Sequence, residues 1–228
     1  MLLSFLSPVA LLLVLGSIYG NPSNPGQTVS QDSASYFLPS LTAAFIMTNG
    51  VIGLTSVCFE LKRDGVLSRL STTPLTKLEL LLGNILSQVV LALVLTVVML
   101  VLGVTLFNVS LSFNAYPVVL LLLGVILFSG VGMLLAAVAE TPEVAAGLGN
   151  IIAFPMMLVS GTFWPINSMP SSLQTVAQVF PLTYLAAGLR NSMVSANFSA
   201  AFTDFVVVAI FAVALILLAA KFTRWRES

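Results

Sequence analysis

The chain has 228 residues, 58% of them hydrophobic and 7% charged, with eight cations against eight anions. A soluble domain carries about 25% charged residues, so this composition cannot cover a wet surface, and its zero net charge offers no basic field to a nucleic acid. There is no histidine and a single cysteine, Cys58, which excludes a histidine-based catalytic or metal site and any disulfide within the chain.

The apolar residues come in runs long enough to cross a hydrocarbon core about 30 Å thick. A transmembrane barrel would show alternating segments of about ten residues instead. The pattern therefore predicts an all-α membrane protein, a single transmembrane domain over 1–228 without internal repeats. Six transmembrane helices are predicted, at about 1–19, 36–59, 79–107, 117–139, 143–163 and 203–222.

The first run lacks the basic segment of a signal peptide and reads as a span. It starts at Met1 with no cytoplasmic residues before it, the pattern of a chain that begins late. The second span carries Thr48 and Asn49 near its centre, and Cys58 near its end reads as a small apolar residue. After it, ELKRDGVLSRLSTTPLTKLE (60–79) holds seven of the sixteen charged residues. Asp64-Gly65 marks a turn. Val66, Leu67 and Leu70 would then line one side of a short helix, with Arg63 and Arg69 exposed, until Thr73-Pro74 ends it. A short amphipathic helix lying along the membrane suits docking by a soluble partner.

Thr76-Lys77-Leu78-Glu79 fits a capping box at the start of the third span, which carries Asn84 and Gln88. Thr141-Pro142-Glu143 supplies an N-cap, a proline at the first helical position and an acid in the first turn of the fifth. That span carries Asn150 and a ladder of small residues, Ala145, Gly149 and Ala153, which permits close helix approach. The interiors of the spans are expected to be free of charge, which argues against a proton-coupled carrier because a relay needs titratable groups there. Thr48, Asn49, Asn84, Gln88 and Asn150 are the candidate lining of a substrate path. Hydrogen bonding between helices is the plainer account of them.

The stretch 164–190 is broken by Pro165, Pro170 and Pro181 and should not span. Leu173, Val176, Ala177 and Phe180 follow the spacing of an amphipathic helix, lying in the outer interface or dipping in as a re-entrant turn. Phe163, Trp164, Pro165 and Pro181 are candidates for an outer gate, against a purely structural cap. Arg190 is expected to snorkel towards headgroups or to meet an anionic group of a substrate.

Orientation follows from the cations. With the N-terminus inside, Lys62, Arg63, Arg69, Lys77, Lys221, Arg224 and Arg226 all lie in the cytoplasm and only Arg190 outside, a seven-to-one bias. Both termini are then cytoplasmic. Tyr19, Tyr36, Tyr116, Tyr184 and Trp164 fall at outer boundaries, where amphipathic rings prefer to sit. Asn108-Val109-Ser110 and Asn197-Phe198-Ser199 are glycosylation-type triplets on the same side, meaningful only in a eukaryotic secretory pathway.

Two stretches carry a resemblance. FELKRDGVLSRLSTTPLTKLELLLG has an acid, basic residues, Asp-Gly, Arg-Leu, Thr-Pro-Leu and a glycine opening the next span. SGTFWPINSMPSSLQTVAQVFPLTYLAAGLR has Ser-Gly-x-Phe-x-Pro, a second proline, Pro-Leu-Thr and Leu-Arg. In order and spacing the chain resembles the permease subunits of type-2 ABC exporters, a drug- and lipid-exporting family that includes daunorubicin-resistance permeases. It departs from them at the front, where the family has an amphipathic cytoplasmic segment before its first span. The resemblance implies a plasma-membrane permease that pairs with a second permease, a homo- or heterodimer among membrane lipid, and docks a cytoplasmic ATPase. Glu60, Arg63, Asp64, Gly65, Arg69 and Pro74 would form its coupling region. The chain itself holds no G-x-x-x-x-G-K-[ST] phosphate loop, and none of its three lysines follows a glycine. ATP would therefore bind the partner subunit by that route, with no cofactor on this chain. A stand-alone sodium-coupled or facilitative carrier, using backbone carbonyls in place of charges, and a scaffold without transport are the other readings.

Overall fold

The computed structural model describes residues 2–19, 31–63, 77–109, 115–195 and 197–222, and every regular element among them is helical. The first predicted span is α1 (Leu2–Tyr19). The second is in three pieces, α2 (Gln31–Thr48), a π turn (Asn49–Gly53) and α3 (Leu54–Arg63). The third and fourth are α4 (Lys77–Phe107) and α5 (Tyr116–Val138). The fifth is α6 (Pro142–Val159), which stops short of its predicted end at 163. A 3-10 turn (Ile166–Ser168) and the helices α7 (Ser171–Ala177) and α8 (Pro181–Met193) precede the last span, α9 (Phe198–Phe222).

Among the described residues, four stretches are long and apolar enough to cross a membrane: Ala34–Val57, Gly83–Phe107, Tyr116–Val138 and Ser199–Ala219. α1 and α6 have 18 residues each, about 27 Å of helix. The start of α6 is as its sequence predicts. Thr141 is extended and its hydroxyl accepts from the Val144 amide at 3.2 Å, ahead of Pro142 and Glu143. The capping box at 76–79 cannot be compared, because Thr76 lies outside the described residues. α4 ends on Asn108 in the left-handed region (φ 49°), with the Val109 amide returning to the Gly103 carbonyl at 3.0 Å, the six-to-one closure of a helix end.

α2 is the hub. Within Ala34–Val57, 78% of the apolar window is buried, against 28% in Gly83–Phe107 and 17% in Ser199–Ala219. One side of α2, through Phe37, Leu41 and Phe45, packs with Leu12 of α1 and with Leu95 and Met99 of α4. Another, through Ala43, Ile46 and Met47, packs with Phe128 of α5 and with Leu185 and Leu189 of α8. Lipid tails are as apolar as leucine, so what holds such helices together is close contact rather than escape from water. The outer side of α4 shows the complement: Val90, Val94, Val97, Val101 and Val104 are exposed, suited to a hydrocarbon solvent.

The close contact is of backbone with backbone at the π turn. Its Asn-Gly-Val-Ile-Gly sequence is poor in helix formers, and the Leu54 amide reaches five residues back to the Asn49 carbonyl, the wide turn of a π-bulge. A side-chain carbon at Gly132 of α5 would collide with the Gly50 carbonyl oxygen, and one at Gly50 would lie 2.6 Å from Phe128 Cβ. The two backbones therefore touch. Between them the Thr55 hydroxyl lies against the carbonyls of Val51 and of Gly132, 3.1 Å from the latter. The small-residue ladder of α6 works in the same way. Ala145 and Ala153 are buried, Ala145 against Phe59 of α3, and a methyl at Gly149 would lie 3.3 Å from Ile52 Cγ1.

Three expectations change. The prolines of 164–190 do break the chain, but each break begins a helix: Pro170 precedes α7 and Pro181 is the first residue of α8. The amphipathic helix exists as α7, and of its apolar face only Ala177 is fully buried, while Leu173 and Val176 are exposed. After it comes a helix that the sequence reading treated as broken chain. α8 is buried along most of its length and packs against α2, α5 and α9. Finally, the spans are not free of charge. Asp204 lies half-buried on α9, against α8: a Cβ at Gly188 would meet Asp204 Cβ at 3.0 Å.

Candidate functional site at the Arg190 junction

The predicted coupling set divides. Glu60 and Arg63 belong to the end of α3. Asp64, Gly65, Arg69 and Pro74 lie outside the described residues, as does the predicted helix around 66–70.

The predicted path residues are spread over α2, the π turn, α4 and α6. The Thr48 hydroxyl donates to the Ala44 carbonyl at 2.8 Å, the Asn49 amide to Phe45 at 2.9 Å and the Asn150 amide to Ala146 at 2.9 Å. These three satisfy themselves within their own helices and do not act as bonds between helices. Asn84 and Gln88 are half-buried on α4, and Asn150 is exposed. Of the predicted gate residues, Phe163 packs on the α1–α2–α4 core and stands edge-to-face with Trp164, centroids 6.0 Å apart. Trp164 and Pro165 are exposed, whereas Pro181 is buried at the start of α8.

The structure gathers its polar groups elsewhere, where α2, the end of α6, α8 and α9 meet. Pro181 sets the start of α8, and the helix then places Arg190 in its last turn, where a cation complements the helix dipole. Arg190 does not extend outward as a snorkelling side chain would. Its Cζ lies 3.8 Å from the centroid of the Tyr36 ring, and Nη2 donates to Ser40 Oγ at 2.8 Å. The Ser40 hydroxyl donates in turn to the Tyr36 carbonyl at 2.8 Å. The Tyr36 hydroxyl donates to the Gly161 carbonyl. Gly161 sits just past α6 with φ 77°, a left-handed turn that glycine adopts without a Cβ penalty. A Cβ there would also meet Ile166 Cγ1 at 2.7 Å. On the far side, the Asn191 amide donates to Asp204 Oδ2 at 2.9 Å.

Asp204 nearby is held by Asn191, and the half-buried cation of Arg190 is held by a ring face and a hydroxyl. Its Nε is buried without a partner, and so are the hydroxyls of Ser160 and Thr162 on either side of Gly161. No group of metal-ligating side chains occurs among the described residues. The chemistry on offer is the binding and orientation of a polar group. The sequence did hold a signal for this place: Arg190 is the one cation apart from the groups at 62–77 and 221–226, and Asp204 is a carboxylate in the last apolar run.

Residues 1–194 match the ABC-2 type transporter family, a stretch that includes the charged segment, the π turn and the Arg190 junction. The chain belongs to that family. It is 30% identical over 145 residues to the linearmycin resistance permease protein LnrN of Bacillus subtilis, an overlap of 64% of this chain and 37% of that protein's length. It is 25% identical over 215 residues to the inner membrane transport permease YadH of Escherichia coli, covering 92% of this chain and 83% of YadH. A daunorubicin resistance ABC transporter permease protein, DrrB1 of Streptomyces coeruleorubidus, is 26% identical over 192 residues, 82% of this chain and 66% of DrrB1. An ABC-2 type membrane domain accounts for the apolar, helical composition.

Proposed function

We propose that the chain is the membrane permease of an ATP-driven exporter, working with a separate ATPase subunit and a second permease copy to move a hydrophobic or amphipathic cargo out of the cytoplasm. The observation that carries this reading is the family match over 1–194, which takes in both the charged segment at 60–79 and the broken stretch after α6. In this reading α1 and α6 join the four longer helices as spans, giving six, with both termini in the cytoplasm. α3 continues into the coupling segment, where Glu60, Arg63, Asp64, Gly65, Arg69 and Pro74 meet the ATPase. Closure of the ATPase would push α3 and the π turn against Gly132 of α5, because backbone contact leaves no soft side chain to absorb the motion. Thr48, Asn49, Asn84, Gln88 and Asn150 are then available to a path, and Phe163, Trp164, Pro165 and Pro181 to its outer gate.

The test is purification of the tagged chain from its native membrane in mild detergent, with mass spectrometry and an ATP-hydrolysis assay. A stoichiometric ATPase is expected. A clean chain that moves cargo down an ion gradient would overturn the reading in favour of a stand-alone carrier. Within the complex, Arg69→Glu reverses charge on the proposed docking face. It is expected to lower ATPase recovery several-fold while leaving membrane insertion intact. Unchanged recovery and unchanged hydrolysis would remove 60–79 from the interface.

A further inference from the structure

A half-buried cation with a buried, unpartnered donor calls for a use, because leaving such a donor without a hydrogen bond is costly. Arg190 has a use as a structural tie between α8 and α2, but that tie does not exhaust it. Its Nε is a buried donor with nothing to receive it. Next to the carbonyl that holds Tyr36, the Ser160 and Thr162 side chains are 1% and 0% exposed, and their hydroxyls have no partner either. Buried polar groups are nearly always satisfied, and each exception calls for an explanation. Of the four such atoms among the described residues, one, the Ser129 hydroxyl, lies on α5, and the other three lie about Tyr36 and the Gly161 carbonyl that accepts from it, and all three can donate. The nearby carboxylate is already engaged by Asn191. What such a set lacks is an acceptor carrying negative charge, which a guanidinium binds best.

We propose that Arg190, together with the hydroxyls of Ser160 and Thr162, forms a binding site for the acidic headgroup, phosphate or carboxylate, of an amphipathic molecule. In the present conformation the Tyr36 ring and Ser40 cover the guanidinium and stand in for that headgroup. The proposal rests on the permease reading only for the headgroup's fate, whether carried as cargo or held as a resident lipid. The site itself stands without that reading.

The experiment measures binding of short-chain fluorescent phosphatidylglycerol and phosphatidylcholine to the purified chain with whatever subunits accompany it. The same complex, in phosphatidylcholine vesicles, is assayed for ATP-dependent movement of each probe. Phosphatidylglycerol is expected to bind at least about tenfold more tightly, as one charge-assisted hydrogen bond would supply. Arg190→Gln should bring the two probes close to parity and Arg190→Lys should restore part of the difference. Because Arg190→Gln also loosens α8, Thr162→Val is the decisive variant. That hydroxyl has no bond to lose, so thermal stability should hold or rise, while the preference for phosphatidylglycerol falls about three- to tenfold. Equal binding of the two probes to the unaltered protein, or a preference unchanged in Thr162→Val and Arg190→Gln, would overturn the proposal. ATP-driven movement of the acidic probe would identify a cargo site, and selective binding without movement a resident-lipid site. A missing ATPase would defeat the permease reading and leave the binding result standing.

Discussion

α2 is joined to its neighbours in two unlike ways. At its far end, the π turn meets α5 backbone to backbone, with Gly50 and Gly132 admitting nothing between them. Nearer its start, Tyr36 and Ser40 meet α8 and the turn after α6 through hydrogen bonds and one cation–π contact. The first joint is a matter of shape. The second depends on chemistry that a ligand could replace, and it leaves three donors unspent against one, the Ser129 hydroxyl, on α5 beside the seam. A transporter needs both kinds: a stiff seam that transmits force and a polar junction that can exchange one partner for another. In this chain they lie on one helix, with the seam next to the segment proposed to receive force.

The seam should be the less forgiving joint. In Gly132→Ala the new methyl meets a main-chain oxygen, not a flexible side chain, so no neighbouring rotamer can relieve it. A loss of about 3 kcal/mol or more is expected, read as a large drop in the temperature at which the purified protein loses its monodisperse state in detergent. Trimming Phe128 should not rescue it, because the collision is with the Gly50 carbonyl. Full stability in Gly132→Ala would mean that the two backbones are not in contact, and the contrast between the joints would disappear.

The junction should yield by smaller steps. Tyr36→Phe removes the hydroxyl and orphans the Gly161 carbonyl but keeps the ring under Arg190. The expected loss is about 1 kcal/mol, the worth of one hydrogen bond, measured by the same melting assay. A loss as large as that of Gly132→Ala would show that the junction is as rigid as the seam and could not exchange partners.

How much of this was legible in the sequence divides along the same line. Hydropathy runs placed α1, α4, α5 and α9 because an apolar solvent demands long uninterrupted apolar helices. The Thr141-Pro142-Glu143 signal placed the start of α6 because capping is local chemistry. α8 was missed because it is short, begins with a proline and ends near an arginine, features of loop in a hydrophobicity profile. It is a helix because it is enclosed by α2, α5 and α9, and enclosure by neighbours is not written in its own residues. Asn49-Gly50 hinted at irregularity in the second span, since neither residue favours a helix, but the backbone contact at Gly132 depends on a partner 82 residues away, as Gly50 and Gly132 are numbered. Arg190 was visible as an isolated cation. Its fold over Tyr36 was not, because a snorkelling arginine and a buried one look alike until the partner ring is in place.

The smallest prediction asks whether shape complementarity extends beyond one copy of the chain. Gly147 and Gly149 sit two residues apart on α6. An added methyl at Gly149 would press on Ile52, 3.3 Å from Cγ1 and 3.4 Å from Cα, whereas at Gly147 it would meet nothing within 4 Å. Glycine in a helix interior is about 0.5–1 kcal/mol worse than alanine. Gly147→Ala should therefore raise the melting temperature of the isolated chain slightly, while Gly149→Ala should leave it level or lower it. The comparison becomes sharper in the assembled transporter. If Gly147→Ala stabilises the single chain but weakens the complex, the open space beside Gly147 is filled there by another subunit, and α6 uses small residues on two opposite sides, Gly149 towards Ile52 within the chain and Gly147 towards a partner outside it. If the variant stabilises both equally, the small residues of α6 serve Ile52 and Phe59 alone, and the surface that meets a second copy lies elsewhere on the protein.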